Sequence, residues 1–492
     1  MNRLLTSFCL IIFASALALG EIPEEPVEIG FEPQVFVDDW LVDNRFAIKY
    51  KSNAVVRQLH PPVKHESNPL ISTDGGYCNA VFDEEAGKFR MWWQAHSWED
   101  KLEGGRTKYA IAYAESNDGF NWQLPNLGLF EWKGTKDNNV VWRGPKGARA
   151  SGPQILLTLP ESQKRGYRFI MQYRTGGAGK DMDGIRLIGS NDGVHWDEKS
   201  DTRLLHIHSD TLNSIVYDPR REEYVMSCRA KDRYRLFKGE MIDTGASRRI
   251  ARLANDDLWT EWTDSPQQLL IPDEKDAETD HNFFYGMPMH YYAGVYWGFL
   301  WVFRMNDPIH TELVTSRDGV NWTRLPNREP LIALGEDGAW DDGMNFGGPH
   351  WVERGDEWLH YYAGWDGGHD SKERKSGIGL ATGRKEGLIS LRGPENGGGV
   401  VVTRQIVWPG GDLFLNLDAK HGKAAVRISG DRRVAIPGFD YDNCVNLDEE
   451  NGTRVKITWD GRSLDALTGA IVRIEIFLQN ADLFALQAEK ET

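Results

Sequence analysis

Ser116-Asn-Asp118-Gly119-Phe-Asn-Trp122 returns as Ser190-Asn-Asp192-Gly193-Val-His-Trp196 and again as Ser316-Arg-Asp318-Gly319-Val-Asn-Trp322. The first two copies begin about 74 residues apart and the next two about 126, which is two periods of about 63, the spacing of a copied supersecondary unit. Asp-Gly specifies a tight turn, because Gly accepts positive φ and Asp bonds its own backbone. The Trp three residues after Gly anchors the strand that follows. The unit reads as a propeller blade.

Two degraded copies complete the period, Ala254-Asn-Asp256-Asp257-Leu-Trp259 and Thr382-Gly-Arg-Lys385-Glu-Gly387. Short apolar runs flank every turn at strand length. In the first unit they are Tyr77 to Phe82, Phe89-Arg-Met-Trp-Trp93, Ala110 to Ala114 and Leu129-Phe-Glu-Trp132. Four runs per unit, five units and little helical periodicity predict an all-β, five-bladed β-propeller over 61–391, with a fourth run expected after each turn. The Gly-rich stretch Arg392-Gly-Pro-Glu-Asn-Gly-Gly-Gly399 ends the period. Beyond it alternation persists, as in Asp412-Leu-Phe-Leu-Asn-Leu417 and Val472-Arg-Ile-Glu-Ile-Phe477, so 392–492 is expected to be a C-terminal β-sandwich. Residues 21–60 read as an extended segment that pairs with the sandwich or closes the propeller.

Residues 1–20 have the pattern of a signal peptide: Arg3, a largely apolar Leu4–Leu19, and Ala18-Leu-Gly20 before the cut. The run is short for a membrane span. A secreted or periplasmic product without membrane insertion is therefore expected. The net charge of −16 disfavours nucleic acid as a partner. The 19 Trp and 16 Tyr suit both a β core and the stacking of sugar rings. Cys78, Cys228 and Cys444 have no paired spacing and read as thiols rather than a zinc site or a disulfide scaffold.

These features together resemble the five-bladed propellers of glycoside hydrolases of the family 32 and 43 type, and more closely secreted bacterial proteins with a family-32 N-terminal-like domain. The residues carrying the resemblance are Phe36-Val-Asp-Asp-Trp-Leu41, Lys88-Phe-Arg-Met-Trp-Trp93, the Ser-x-Asp-Gly-x-x-Trp turns and the trailing sandwich. The resemblance implies a carbohydrate substrate and a glycosidase activity. The family's catalytic segments do not carry over. The invertase-type Trp-Met-Asn-Asp-Pro-Asn-Gly, Arg-Asp-Pro and Glu-Cys are missing, and the second unit opens with Ser151-Gly-Pro153 where an acid is expected.

The site must then follow from blade geometry. Antiparallel strands bring the start of strand one, the end of strand two and the start of strand three to one face around the axis. That face is expected to collect Asp74, Asp210, His281 and Asp342 from strand-one starts, His96, Arg174, Arg229, Arg304, Trp365 and Asp366 from strand-two ends, and Glu312 from a third strand. A glycosidase needs two carboxyl groups, one kept protonated as the acid. Asp210 or Asp342 is the candidate base or nucleophile, Glu312 the candidate acid and Asp74 a further carboxylate. The recurring arginines suit a carboxylate or sulfate on an acidic sugar, or the acidic ring itself. No cofactor or transition-metal site is indicated; calcium is the one ion that the carboxylate density would suit. The rival reading on the same fold is a non-catalytic glycan-binding or surface protein.

Overall fold

The computed structural model describes residues 25–45, 54–101, 107–176, 183–206, 209–237, 240–263, 266–278, 281–304, 308–430 and 432–490. The segment read as a signal peptide lies outside them. The chain folds as a five-bladed β-propeller with a β-sandwich against it.

Blade 1 is Gly75–Asp83, Lys88–Lys101, Thr107–Ser116 and Val140–Trp142, each strand antiparallel to the next. Blade 2 runs from Arg149–Ile155 to Trp196–Leu205, and blade 3 from Ser214–Asp218 to Gln267–Leu270, with the same order. In blade 4, Val295–Arg304 and Ile309–Ser316 form the centre, flanked by His281–Gly286 on one side and Pro330–Ile332 on the other. Blade 5 departs from the sequence expectation. Its inner strands are Met344–Gly347, Glu357–Trp365 and Ser376–Arg384, and its outer position is filled from the other end of the chain. Val63–Lys64 and Ile71–Thr73 pair with Ser376–Arg384, so the ring is closed by strands that precede blade 1. No run after the Thr382–Gly387 turn was free to do this, because the chain goes straight into Ile389–Arg392 of the sandwich.

The recurring turn has a definite local chemistry. In the first copy Ser116 Oγ accepts from the backbone N–H of Gly119, and Asp118 Oδ1 accepts from those of Phe120 and Asn121. Gly119 takes φ +82°, open to Gly and strained for other residues. Each turn then packs on the neighbouring blade. Tyr361 of blade 5 donates to Gly119 O, Trp92 of blade 1 to Gly193 O, and Arg220 of blade 3 to Arg317 O. The degraded turns do the same work: Trp259 donates to Gln163 O on blade 2, and Tyr292 of blade 4 to Glu386. The repeat is thus a blade-to-blade fastener.

The sandwich is shared between both ends of the chain. Val27–Glu28 and Val42–Asn44 edge one sheet, and Gln34–Val35 and Val56–Leu59 join the other, around a core that includes Trp408 and Trp459. Among the described residues no helix is long and apolar enough to cross a membrane.

Candidate functional site

An open cavity of about 200 Å³ lies where the inner strands converge. Residues of blades 1, 2, 4 and 5 and of the segment that opens blade 3 line it, so it is the axial pocket of the propeller.

One wall is polar. Asp210, in the segment leading into Ser214–Asp218, presents a side chain 60% exposed and accepts from Arg174 Nη1 at 3.0 Å. Arg174 is buried at the end of Phe169–Gly176, and Asp183 lies close to its far side. His96, buried on the second strand of blade 1, has its Nε2 2.7 Å from Gln94 Nε2. Burial, with the cation Arg374 adding to it, lowers its pKa to about 3, so the imidazole is neutral. Gln94 Oε1 in turn accepts from Gly152 N–H of blade 2, which fixes the junction between the two blades.

The opposite wall is aromatic. Tyr77 stacks on Trp301 with ring centroids 5.2 Å apart and meets Phe346 edge-on. It adopts φ +54° within a strand whose register slips between Gly76 and Asn79. Strain of this kind at a non-Gly residue is held by its surroundings and concentrates at working sites. Burial, then the neighbouring Tyr285, holds the Tyr77 phenol well above its usual range. Trp365 closes over Gly76, where a Cβ would sit 2.0 Å from the indole. Tyr285 Oη lies 3.1 Å from His369 Nε2, and His369 Nδ1 lies 3.0 Å from Asp370. Two guanidinium groups, Arg229 and Arg248, cover the Tyr285 ring at 4.5 and 4.7 Å from its centroid.

Asp210, His96, Arg174, Arg229 and Trp365 are therefore gathered at or beside the pocket. The other expected site residues lie elsewhere. Glu312 is buried inside blade 4, where Arg324 Nη2 reaches it at 2.8 Å and also binds Asp276, so its charge is spent in an internal ion network. Asp342 caps a loop by accepting from Gly338 N–H. Its neighbour Asp341 is the buried one, held by Lys64 and Tyr362. Asp74 is exposed and paired with Lys133, and lines a separate surface groove with Asp366 and Trp340. Asp366 Oδ1 there accepts from Lys375 N–H. Arg304 sits on the strand that pairs with His281, outside the pocket lining, and the His281 side chain is outside the described residues. For Glu312 and Arg304 the reason is alternation, since one step along a strand moves a side chain from the axis to the blade interior, whereas Asp74, Asp342 and Asp366 lie in bends between strands.

Tyr77, Tyr285, His369 and Arg248 escaped the sequence reading. Both tyrosines lie in runs that read as core, and His369 lies in a Gly-rich loop after Trp365. A strand opening on Asp74-Gly-Gly76, a signal for a bulge, was the one clue to Tyr77. Asp210 is the one carboxylate lining the pocket among the described residues. No group of three or more His, Cys, Asp or Glu is placed there to hold a metal ion, again among the described residues.

No protein-family model matches the chain, and no curated protein matches it. Solved structures similar to it include an N-acetylgalactosamine deacetylase from F. plautii in complex with blood group B trisaccharide, 17% identical, covering 68% of this chain and 96% of that one with a TM-score of 0.44. A thermostable family-43 glycoside hydrolase is 13% identical over 68% of this chain and 95% of its own, TM-score 0.43. A β-1,2-mannobiose phosphorylase from Listeria innocua is 12% identical over 65% and 96%, TM-score 0.43. Likeness at this level assigns no activity.

Proposed function

We propose that the axial pocket binds a carbohydrate and hydrolyses a glycosidic bond in it, with Asp210 as the catalytic carboxylate. The observation carrying this reading is the placement of Asp210. It faces an aromatic-walled cavity and is held from behind by the buried Arg174. A carboxylate bonded to a guanidinium is an acceptor, the role of a general base. The second proton-transfer group is the Tyr285 phenol, supported by His369 and Asp370. In the step proposed, Asp210 takes a proton from water and the water oxygen bonds to the anomeric carbon. The glycosidic C–O bond breaks and the leaving oxygen takes the Tyr285 proton. Bulk water restores both groups. Tyr77 and Trp365 supply faces on which a pyranose packs, and export of the protein by its N-terminal segment belongs to the same proposal.

The test is a screen of the purified protein against plant and marine polysaccharides for release of new reducing ends. Asp210→Asn should abolish that release, and Tyr285→Phe should reduce it. Release that survives Asp210→Asn in full removes Asp210 from the chemistry. One observation favours a second reading, a glycan-binding protein that cleaves nothing: Asp210 stands without a second carboxylate among the described lining residues. Binding of oligosaccharide with no new reducing ends would select it.

A further inference from the structure

Four guanidinium groups lie at or behind the axial pocket, Arg374 in its lining and Arg174, Arg229 and Arg248 behind it, and among the described residues the lining offers them one carboxylate, Asp210. Arg174 is matched by Asp210, with Asp183 near it. Arg374 lines the pocket and donates to the carbonyls of Gly368 and His369, both neutral acceptors. Arg229, 3% exposed, donates to the Tyr285 carbonyl at 2.8 Å. Arg248 lies against Tyr285 and Phe303, with Nη1 buried and without a hydrogen-bond partner among the described residues. Neither Arg229 nor Arg248 has a carboxylate partner among the described residues. Burial, with the like charge of Arg229 beside it, holds the Arg248 pKa below its ordinary value.

Removing a guanidinium from water without an anion is costly, so charges buried this way are paired or wait for a partner. Here two come from adjacent strands, Arg229 on Glu223–Phe237 and Arg248 on Glu240–Asn255, and both reach the same tyrosine of the next blade. The surplus is local. The whole chain carries −16, a field that repels anionic polymers, so the cationic cluster behind the axial pocket is not an overflow of general surface charge.

We propose that Arg229 and Arg248 form an anion subsite of the axial pocket, and that the sugar bound there is acidic, bearing a carboxylate or a sulfate ester. The subsite rests on the glycan reading of the pocket and specifies it. Guanidinium forks match the planar oxygens of a carboxylate and the paired oxygens of a sulfate, with N–H donors set at fixed angles. A sugar whose ring packs on Tyr77 or Trp365 places an exocyclic acid group within reach of the guanidiniums around Tyr285. An anion delivered there satisfies buried donors that a neutral sugar leaves unpaired, and that difference sets the selectivity.

The experiment is calorimetric titration of the intact protein with matched pairs of oligosaccharides. One pair is oligogalacturonide and its methyl ester; the other is a sulfated galactan oligosaccharide and its desulfated form. Each acidic partner that fits should bind roughly ten- to a hundredfold tighter than its neutral twin, with affinity falling as salt rises. The pair that discriminates tells carboxylate from sulfate. Arg248→Gln should erase the preference while the melting temperature stays close to that of the wild type. Arg229→Gln should do the same where it folds, and Arg248→Gln decides where it does not. Equal binding of acidic and neutral twins overturns the proposal, as does an unchanged preference in Arg248→Gln; both outcomes leave glycosidic cleavage standing. Binding of neither kind overturns the anion subsite, while the reducing-end screen judges cleavage separately.

Discussion

Arg174 Nη1 donates to Asp210 Oδ1 at 3.0 Å, tying the second strand of blade 2 to the segment that opens blade 3. The arginine is buried and the aspartate is open to the cavity, so the pair has a fixed end and a working end. An ion pair this exposed on one side contributes little to stability. Its value lies in aiming a carboxylate at the centre of the ring.

That asymmetry separates the two residues by experiment. Asp210→Asn should lower kcat by roughly 10²- to 10⁴-fold, the usual range for a general acid or base. Arg174→Gln leaves the carboxylate present but unaimed, and should lower kcat by about 10- to 100-fold with a smaller change in KM. Initial rates on the polysaccharide identified by the screen, with melting temperatures alongside, measure both. A fall confined to KM would make Arg174 a binding residue instead.

Gly76→Ala tests the aromatic wall. An added Cβ would stand 2.0 Å from Trp365 Cη2 and 2.7 Å from Cζ2, and the indole is itself packed on Phe346. The ring must therefore move. Overpacking of this kind costs about 1–3 kcal/mol, readable by chemical denaturation, and should weaken sugar binding. Unchanged stability and KM would place Trp365 outside the wall that the ligand uses.

The fold was legible because each blade carries its own punctuation. Ser116, Asp118 and Gly119 set the turn through local hydrogen bonds that sequence shows directly. The closing strand was not legible: Val63–Lys64 and Ile71–Thr73 are two and three residues long, too short to leave a period. Their partner is more than 300 residues away in sequence. At the site, Asp210 was readable because it precedes an apolar inner strand. Glu312 shows why the rest was not. The sequence puts it at a strand start, but it lies in the middle of Ile309–Ser316 and its charge goes to Arg324, a pairing set only by the packing of blade 4. Arg229 and Arg248 likewise become a pair only when two strands lie side by side.

Asp118 should be worth more to ring closure than its exposure implies. Its Oδ1 accepts from two backbone N–H groups, and bonding to Asn121 holds its pKa well below the usual carboxylate range. The turn it shapes presents the Gly119 carbonyl that Tyr361 of blade 5 grips at 2.7 Å. Asp118→Ala should cost about 1–2 kcal/mol, and Asp118→Asn, which keeps an acceptor oxygen, less. A carboxylate with a depressed folded pKa stabilises above its unfolded value near 4 and loses that contribution as pH falls. The gap between wild type and Asp118→Ala should accordingly narrow in acid. Equal denaturation midpoints for the three proteins would show that the turn holds without its side chain.

A cluster of buried histidines makes a stronger acid response, away from the axial pocket. His290 of blade 4 and His350 of blade 5 have ring centroids 5.9 Å apart, and His360 packs on Phe299 and Trp351. Burial lowers the pKa of His350 to about 4 and that of His360, with the charge of His350 adding to it, to about 3; burial also drives His290 well below its ordinary value. An unfolded histidine titrates near 6.5. Above that pH neither state is charged and the cluster has no effect. As pH falls from about 6.5 towards 4, the unfolded chain binds protons that the folded chain refuses, so stability declines by up to about 1.4 kcal/mol per pH unit for each histidine. His360 is the member to replace, because its Nε2 is buried without a partner among the described residues while His350 Nε2 is bonded to the Ala80 carbonyl at 2.7 Å. His360→Phe should leave stability at pH 7 within about 1 kcal/mol and make the loss between pH 6.5 and pH 4 shallower by one histidine's share. Guanidinium denaturation at a series of pH values measures that slope. A slope identical to the wild type would mean that His360 takes up its proton in the folded state.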